Sequence, residues 1–396
     1  EIPSTVKTID YNALQGCEAL RSITVPDSVT KLETYAFDGC SALKTVVIGS
    51  GLAKIDFGVF RNCISLEKVT LGANVTTIDA AFSGCTALSE VTFGANFATL
   101  GERAFKDCVA LTKINWGESI SVIGESAFSG CKGLRALDLP ASVKTIEDYA
   151  FNDADGITEL TLPEGLTSIG VGAFLRCSRI QSVTIPNTVT KMGYSAFEDC
   201  EGLKTVTIGT GLTEIPASAF NKCAAIGEVE IPANVTTVRE NAFSDCPSVR
   251  KLTLNEGLRI IEDRAFNNCA YIEEIIIPNT VTEIGDYAFN GASAAKKLTL
   301  GNSLTTIGQG AFLSCKGLTQ VEIPETVTKI ESSAFGRTGI TTVKIHGNIY
   351  DFDEASFYDS PVSRVSIAEG VDRVTRDMVI EKSTLKSMYI PESVNF

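Results

Sequence analysis

Apolar and polar residues alternate over short stretches, and these stretches recur along the whole chain. Val183 and Ile185 alternate with polar neighbours, which is the period of a β-strand. Pro186 then ends the strand, because proline cannot donate a ladder hydrogen bond. Residues 189–192 form a second extended run, and residues 193–197 are too few for a regular α-helix, so we predict a helical or 3₁₀ turn there. One coil is therefore strand, turn, second extended side and tight turn.

A phenylalanine, usually preceded by alanine, marks each repeat, and we call its place the marker position. With Leu14 in that place at the start and Val379 at the end, the chain contains 17 units. The spacing is 23 residues almost throughout and 22 at three steps. One unit cannot bury its own apolar residues, so neighbouring units must stack and share a core. The phenylalanine markers are Phe37, Phe60, Phe82, Phe105, Phe128, Phe151, Phe174, Phe197, Phe220, Phe243, Phe266, Phe289, Phe312, Phe335 and Phe357.

The position after the first strand indicates a bend in every coil. Of its 18 equivalents, nine are Pro and six are Gly, and both residues favour turns. The exceptions are Asn255, His346 and Ala368. Neighbouring coils would add their strands in parallel, about 4.8 Å apart. We therefore predict an α/β-type repeat solenoid of about 17 coils, strand-rich, with only short helical or 3₁₀ turns.

The repeat pattern I-G-x-x-A-F-x-x-C-x-x-L-x-x-V-x-I-P resembles the BspA-type, or treponemal-type, leucine-rich repeat. The match covers essentially all of residues 1–396, and the motif is highly specific to that class. The resemblance implies a leucine-rich-repeat right-handed superhelix. It also implies a secreted or surface-attached bacterial protein, since members of the family have been linked to adhesion to host matrix proteins and to other microbes.

Length and regularity together indicate one domain. The chain has 396 residues, more than one compact core usually holds, but the core of a solenoid grows lengthwise. No linker or charge run interrupts the repeat, so we predict a single domain over 1–396 with irregular C-terminal units at 336–396. The chain begins and ends inside the repeat. We therefore expect a fragment of a longer protein, in which the absence of a signal peptide says nothing about localisation.

The acidic balance of the chain excludes some partners. The net charge is −14, from 34 basic and 48 acidic residues. Nucleic acids and anionic membrane surfaces both require a basic face, so we predict neither as a partner. No apolar run approaches the roughly 20 residues that a membrane span needs. We predict no membrane insertion and no cofactor.

The 12 cysteines each lie three residues after a marker position. No C-x-x-C pair exists, so the usual zinc spacing is missing. Parallel coils would also hold neighbouring Cβ atoms farther apart than the roughly 3.8 Å that a disulfide prefers. We predict a ladder of buried free thiols that pack as small hydrophobic groups. The units without cysteine carry Ala154, Ala292, Thr338, Ser360 and Lys382 at this place.

The outward positions of the first strand are the main candidates for ligand contact. Threonine is the commonest residue there and suits a solvent-facing strand, so the plain interpretation is structural. The alternative is a polar binding face for a protein or a glycan. Charges of alternating sign on adjacent strands can also simply pair with one another. The candidate residues on this face are Lys68, Glu90, Lys113, Asp138, Glu159, Glu228, Glu230, Lys251 and Glu274.

Two aromatic residues depart from the repeat. Phe57 lies at an outer-turn position with no apolar preference, which makes it a candidate contact residue, although isolated exposed apolar residues are normal. Trp116, the one tryptophan, aligns with inward positions, and we predict that it fills a core slot.

The sequence offers little for catalysis. The single histidine, His346, lies at a turn, and neither a G-x-S-x-G motif nor a phosphate-binding loop is present. We predict no catalytic residue and no metal site. An active site formed by carboxylates on neighbouring coils, as in β-helical polysaccharide-acting enzymes, is the remote alternative.

We therefore predict a non-enzymatic, extracellular binding scaffold, secreted or on the cell surface and adhesin-like, with a protein or glycan on host or neighbouring cells as ligand. The alternative is a passive spacer that presents other domains. A contiguous patch of exposed apolar or aromatic residues along one face would favour adhesion, and a uniformly threonine-rich and charged face would favour the spacer.

Overall fold

The computed structural model describes residues 1–372, 384–392 and 394. The chain divides into two compact units, Glu1–Gly202 and Leu203–Phe396. The described residues form about 16 turns of a parallel-strand solenoid, one for each marker from Leu14 to Phe357. The last marker, Val379, and Lys382 lie outside the described residues. The predicted strand-rich solenoid is confirmed, and its treatment as a single domain stays a prediction.

In the first unit, every coil contributes a longer first strand and a two-residue second strand. The first strands are Ser22–Val25, Thr45–Ile48, Lys68–Thr70, Glu90–Thr92, Lys113–Asn115, Ala136–Asp138, Glu159–Thr161 and Ser182–Thr184. The second strands are Thr8–Ile9, Lys31–Leu32, Lys54–Ile55, Thr77–Ile78, Thr99–Leu100, Val122–Ile123, Thr145–Ile146, Ser168–Ile169 and Lys191–Met192.

The second unit repeats this arrangement. Its first strands are Thr205–Thr207, Glu228–Ile231, Lys251–Leu254, Glu274–Ile276, Lys297–Thr299, Gln320–Ile323, Thr342–Ile345, Arg364–Ile367 and Ser387–Tyr389. Its second strands are Glu214–Ile215, Thr237–Val238, Ile260–Ile261, Glu283–Ile284, Thr306–Ile307, Lys329–Ile330 and Asp351–Phe352.

Strands of neighbouring coils pair in parallel with equivalent residues opposite each other. In the first unit, Lys68 pairs with Glu90, and Glu90 with Lys113. The five first strands from Ser22–Val25 to Lys113–Asn115 form one sheet. In the second unit, seven second strands form another sheet, from Glu214–Ile215 to Asp351–Phe352. Each side chain therefore lies over its counterpart one repeat away.

The marker phenylalanines form the centre of the core in both units. Within each unit their rings stack with centroids 5.0 to 5.6 Å apart and with nearly parallel planes. These spacings lie in the range that favours offset aromatic stacking. Phe151, for example, is completely buried. Within each unit, neighbouring coils that carry a phenylalanine marker therefore contact each other through the same side chain.

The outer turn carries a third set of backbone bonds between coils. The Phe37 N–H donates to the Val59 carbonyl at 2.8 Å, in the next coil. Within the coil, the Cys40 N–H donates to the Phe37 carbonyl at 3.3 Å, which is an i to i+3 bond of the 3₁₀ type. Tyr35 and Gly39 have positive φ, 62° and 69°, and these left-handed residues interrupt any helix. The predicted helical turn is thus a series of tight turns, and no helix is found among the described residues.

The cysteines form the predicted ladder, and several of their thiols also donate hydrogen bonds, which the sequence did not predict. All of them are free thiols, and all except Cys17 are buried. Each of several thiols donates to a marker carbonyl one coil earlier, as Cys63 does to Phe37 at 3.3 Å and Cys131 to Phe105 at 3.1 Å. Where serine replaces cysteine, at Ser360, the hydroxyl donates to the Phe335 carbonyl at 2.8 Å. The thiol is therefore a hydrogen-bond donor as well as a hydrophobic group.

Trp116 only partly fulfils the prediction of a core residue. Its ring stacks on Phe93, with centroids 6.0 Å apart, and meets the Phe128 ring edge-on at 5.7 Å. The residue stays partly exposed, whereas Phe93, at the equivalent position one repeat earlier, is buried. We call such a set of equivalent positions a column. The indole is larger than the aliphatic side chains that usually occupy this column.

We predict that fully buried thiols such as Cys85 are unreactive in the folded protein, because burial raises the pKa of Cys85 to about 12 and so suppresses the reactive thiolate at pH 8. Titration with a thiol reagent should give 12 thiols per chain after denaturation without reductant, matching the cysteine count. A titre near six or below would mean disulfides and would contradict the thiol ladder.

Truncating a marker should open the core locally. Phe151→Ala is expected to cost about 3–5 kcal/mol, since it leaves a cavity between two stacked rings. Phe151→Leu should cost clearly less, because Leu14 occupies the same position naturally. Native-state hydrogen exchange at the Phe128 N–H, which donates to the Ala150 carbonyl at 2.7 Å, measures both effects. Equal costs for the two substitutions would argue against the cavity as the main source of the cost.

Candidate functional site

The first group of predicted contact residues lies together on the strand face of the first unit. Glu90 accepts an ion pair from Lys68 at 3.3 Å and from Lys113 at 3.4 Å. Asn115 also donates to the Glu90 carboxylate at 3.0 Å. The Asn115 hydrogen bond, followed by that of Lys68, holds the pKa of Glu90 below its ordinary value. The three charges thus satisfy one another across adjacent strands.

Asp138 and Glu159 lie further along the same unit and are exposed. Their strands pair, but the register places Asp138 opposite Thr161 and Glu159 opposite Ala136. The two carboxylates are therefore diagonal neighbours of the same sign. They do not converge with a basic partner in the way that Glu90 does.

The predicted contact residues of the second unit also pair locally. Lys251 lies 3.6 Å from Glu228, and Glu230 accepts a hydrogen bond from Asn255 at 3.2 Å. Glu274 pairs with Lys297, a residue that the sequence analysis did not include. Exposed ion pairs of this kind contribute only about 0–1 kcal/mol each. The geometry agrees with mutual charge pairing, and a role in ligand binding stays a prediction for all of these residues.

Phe57 is part of a contiguous aromatic patch on the outer turns, which we define as Tyr11, Tyr35 and Phe57. The rings meet edge-on, with centroids 6.0 Å apart for Tyr11 and Tyr35 and 5.7 Å apart for Tyr35 and Phe57. Tyr11 is 58% exposed and Phe57 is 42% exposed. The patch crosses three successive coils, so Phe57 is not an isolated exposed residue.

A glycine in the next coil sets the direction of the Tyr35 ring. Gly58 has φ 67°, and a Cβ atom there would lie 2.4 Å from Cε1 of Tyr35. The same arrangement recurs at Tyr149 and Gly172, where the distance would be 2.6 Å. The sequence signal for this packing was therefore a tyrosine that is followed, one repeat later in the same column, by a glycine.

Arg61 holds the patch in place. Its guanidinium carbon lies 4.6 Å from the centroid of the Tyr35 ring, within cation–π range. Its Nε and Nη2 donate to the two oxygens of Asp38, both at 2.9 Å, and Asp38 is itself buried. These bonds raise the pKa of Arg61 above its ordinary value. A bidentate pair fixes a guanidinium in one orientation.

The second unit contains a recess of about 640 Å³ that the sequence analysis missed. Its lining includes Lys297, Gln320, Glu322 and His346. His346 Nε2 lies 3.9 Å from a Glu322 oxygen. The volume falls in the range of small-molecule pockets, about 300–1,000 Å³. The one available signal was His346 itself, which stands where most other coils carry proline or glycine.

The described residues also bear on other kinds of site. They hold no group of three or more His, Cys, Asp or Glu residues placed to ligate a metal ion. Within the same residues, we find no helix with the length and apolar content needed to span a membrane.

The parallel ladders and the stacked phenylalanines define the class of the protein as a leucine-rich repeat scaffold. The family model described as "BspA type Leucine rich repeat region (6 copies)" matches residues 1–112, 59–181, 98–227, 167–296 and 291–396. The chain belongs to the BspA-type leucine-rich repeat family. This family is typically non-enzymatic, its members are typically surface or secreted bacterial proteins, and leucine-rich repeat proteins generally bind other proteins. A comparison with curated proteins gave no match.

Solved structures of bacterial repeat proteins are similar to this chain. A leucine-rich repeat protein from Bacteroides ovatus is 28% identical, with a TM-score of 0.72, and the match covers 81% of this chain and 83% of that one. A leucine rich cell surface protein from Faecalibacterium prausnitzii is 22% identical over 93% of this chain and 91% of that one, with a TM-score of 0.41. The pneumococcal vaccine antigen PcpA is 17% identical over 98% and 92%, with a TM-score of 0.47.

The environment of Glu90 generates a pH prediction. Because its pKa is lowered in the folded state, ionised Glu90 stabilises the fold above the pKa of the unfolded chain. That contribution is lost as the pH falls through the lowered value. Carboxyl NMR titration should show a midpoint below that of an exposed glutamate, and Asn115→Ala should raise it. An unchanged midpoint in Asn115→Ala would contradict the assigned cause.

Proposed function

We propose that this protein is a non-enzymatic, adhesin-like scaffold, secreted or held on the cell surface, that binds a protein partner through the aromatic patch. The observation that carries the proposal is the contiguity of Tyr11, Tyr35 and Phe57 beside Arg61. Tyrosine, phenylalanine and arginine are enriched in protein interfaces, and tyrosine and arginine in the hot spots that dominate affinity.

The patch is also organised before any partner arrives. Tyr35 packs on Gly58, and Arg61 is held by Asp38. Side chains that are already ordered lose less conformational entropy on binding, so more of the contact energy appears as affinity. Exposed aromatic rings in such a setting favour recognition over a purely structural role.

The strand face supports the alternative of a passive spacer. Several of its charges pair among themselves, as Glu90 does with Lys68 and Lys113, and threonine is the commonest of the uncharged outward residues. This face therefore resembles a solvated surface, and we place the binding function on the outer turns. A polysaccharide-acting enzyme draws less support, since the family is typically non-enzymatic.

The test is a binding screen against host matrix proteins and a glycan array, with two variants beside the wild type. In the patch variant, Tyr11→Thr, Tyr35→Ser and Phe57→Gln borrow the residues that equivalent positions carry at Thr34, Ser126 and Gln309, so the fold should be kept. In the strand-face variant, Lys68, Glu90, Lys113, Glu228, Glu230, Lys251 and Glu274 are all changed to Thr.

We expect the wild type to bind a matrix protein and the patch variant to bind it at least about tenfold more weakly, as hot-spot residues do. The matched control is Tyr194→Thr, which should bind normally. Tyr194 is 57% exposed and lies in the same column as Tyr11 and Phe57, outside the patch. Loss of binding only in the strand-face variant would move the site to the strands. Absence of any protein ligand would support the spacer.

A further inference from the structure

A missing residue creates a notch in the outer turns beside the aromatic patch. The step from Phe60 to Phe82 is 22 residues, and the shortening falls between Ile78 and Phe82. The stacked core holds the markers in line, since the Phe82 ring still stacks at 5.3 Å on Phe60 and on Phe105. The deletion must therefore be absorbed on the outer turn.

Small side chains form the floor of this notch, and the two flanking coils form its walls. Ala80 and Ser83 belong to the shortened coil, and Phe57 and Arg61 come from the coil before it. The coil after it supplies the other wall. The notch has a volume of about 250 Å³ and is lined by Phe57, Arg61, Ala80, Ser83, Arg103, Lys106 and Asp107.

The charge of the lining is opposite to that of the chain. Three cations and one carboxylate line the notch, in a protein whose net charge is −14. Arg61 uses two nitrogens on Asp38, which leaves its Nη1 protons for another acceptor. Arg103 pairs with the exposed Glu102 at 3.0 Å, a contact that a ligand can displace at small cost. The notch thus offers guanidinium and ammonium donors around a small, partly apolar floor.

We propose that the notch binds the carboxylate of an aspartate or glutamate side chain in an acidic, aromatic-containing segment of the protein partner. Its volume lies below the roughly 300 Å³ at which small-molecule pockets begin, so it suits one side chain better than a whole ligand. Phe57 belongs to both the notch and the aromatic patch, so one partner segment can occupy both. This inference rests on the proposed function and specifies the partner that it needs.

The probe is a fluorescent Tyr-Glu-Glu-Phe peptide, with Tyr-Gln-Gln-Phe as its uncharged match, titrated into the full chain at low salt and followed by anisotropy and by amide NMR shifts. The notch variant is Arg103→Ser with Lys106→Ser, since Ser126 and Ser129 hold these columns in the next coil. Its control, Arg179→Ser with Lys132→Ser, removes the same charge from exposed positions of the same unit.

The acidic peptide should shift the amides of residues 80–83 and 103–107 and bind about tenfold more tightly than the uncharged match, a difference of ~1.4 kcal/mol. The notch variant should lose that difference, the control variant should keep it, and added salt should reduce it. Equal binding of both peptides, with shifts confined to the aromatic patch, would overturn the notch and leave the proposed function intact.

Two further outcomes would also overturn the proposal. One is the absence of shifts at the notch with any peptide. The other is stronger binding of sialyllactose or glucuronic acid at the same amides, which would make the site one for acidic glycans. The matrix-protein screen decides the proposed function separately, because it depends on the aromatic patch and not on Arg103 or Lys106.

Discussion

The stack of marker phenylalanines is the constraint on which the rest of the structure depends. Ring centroids 5.0 to 5.6 Å apart are close to the roughly 4.8 Å between strands, so one coil per strand spacing also keeps the rings in stacking contact. Each coil must return its marker to the same line. The strand registers and the thiol bonds to marker carbonyls then follow, because every residue is brought over its equivalent one repeat away.

That constraint also determines which surface residues can meet. Neighbours on the surface are residues about one repeat apart, so a local cluster needs matching departures in successive coils. The ion pairs of Glu90 with Lys68 and Lys113 arise in this way. So does the aromatic patch, whose members Tyr11, Tyr35 and Phe57 lie 24 and 22 residues apart. A cluster of this kind is built by three separate coils and cannot arise from one substitution.

The spacing of apolar residues predicted the strands and the buried markers, and the recurring Pro and Gly predicted the turns. Other features depend on the length and the orientation of side chains, and the spacing of residues along the chain does not specify either. The pairing of Glu274 with Lys297, and the partial exposure of Trp116, are of this type. Phe57 was recognised as an exception but not as part of a patch, because that required the Tyr35 ring to lie over Gly58. The cysteine ladder was predicted, but the donor role of the thiols was not, and it appears in the structure at Cys63 and again where Ser360 makes the same bond.

Recognition in a regular solenoid has to come from its departures from the repeat. The marker positions are fixed by packing in the core, so they are nearly the same in every coil and cannot distinguish one ligand from another. The shortened coil before Phe82 differs from its neighbours in length, and its small residues Ala80 and Ser83 open a recess between larger ones. Because the core keeps the markers aligned, the change in length is expressed on the outer turn, where it alters the surface without cost to the stack.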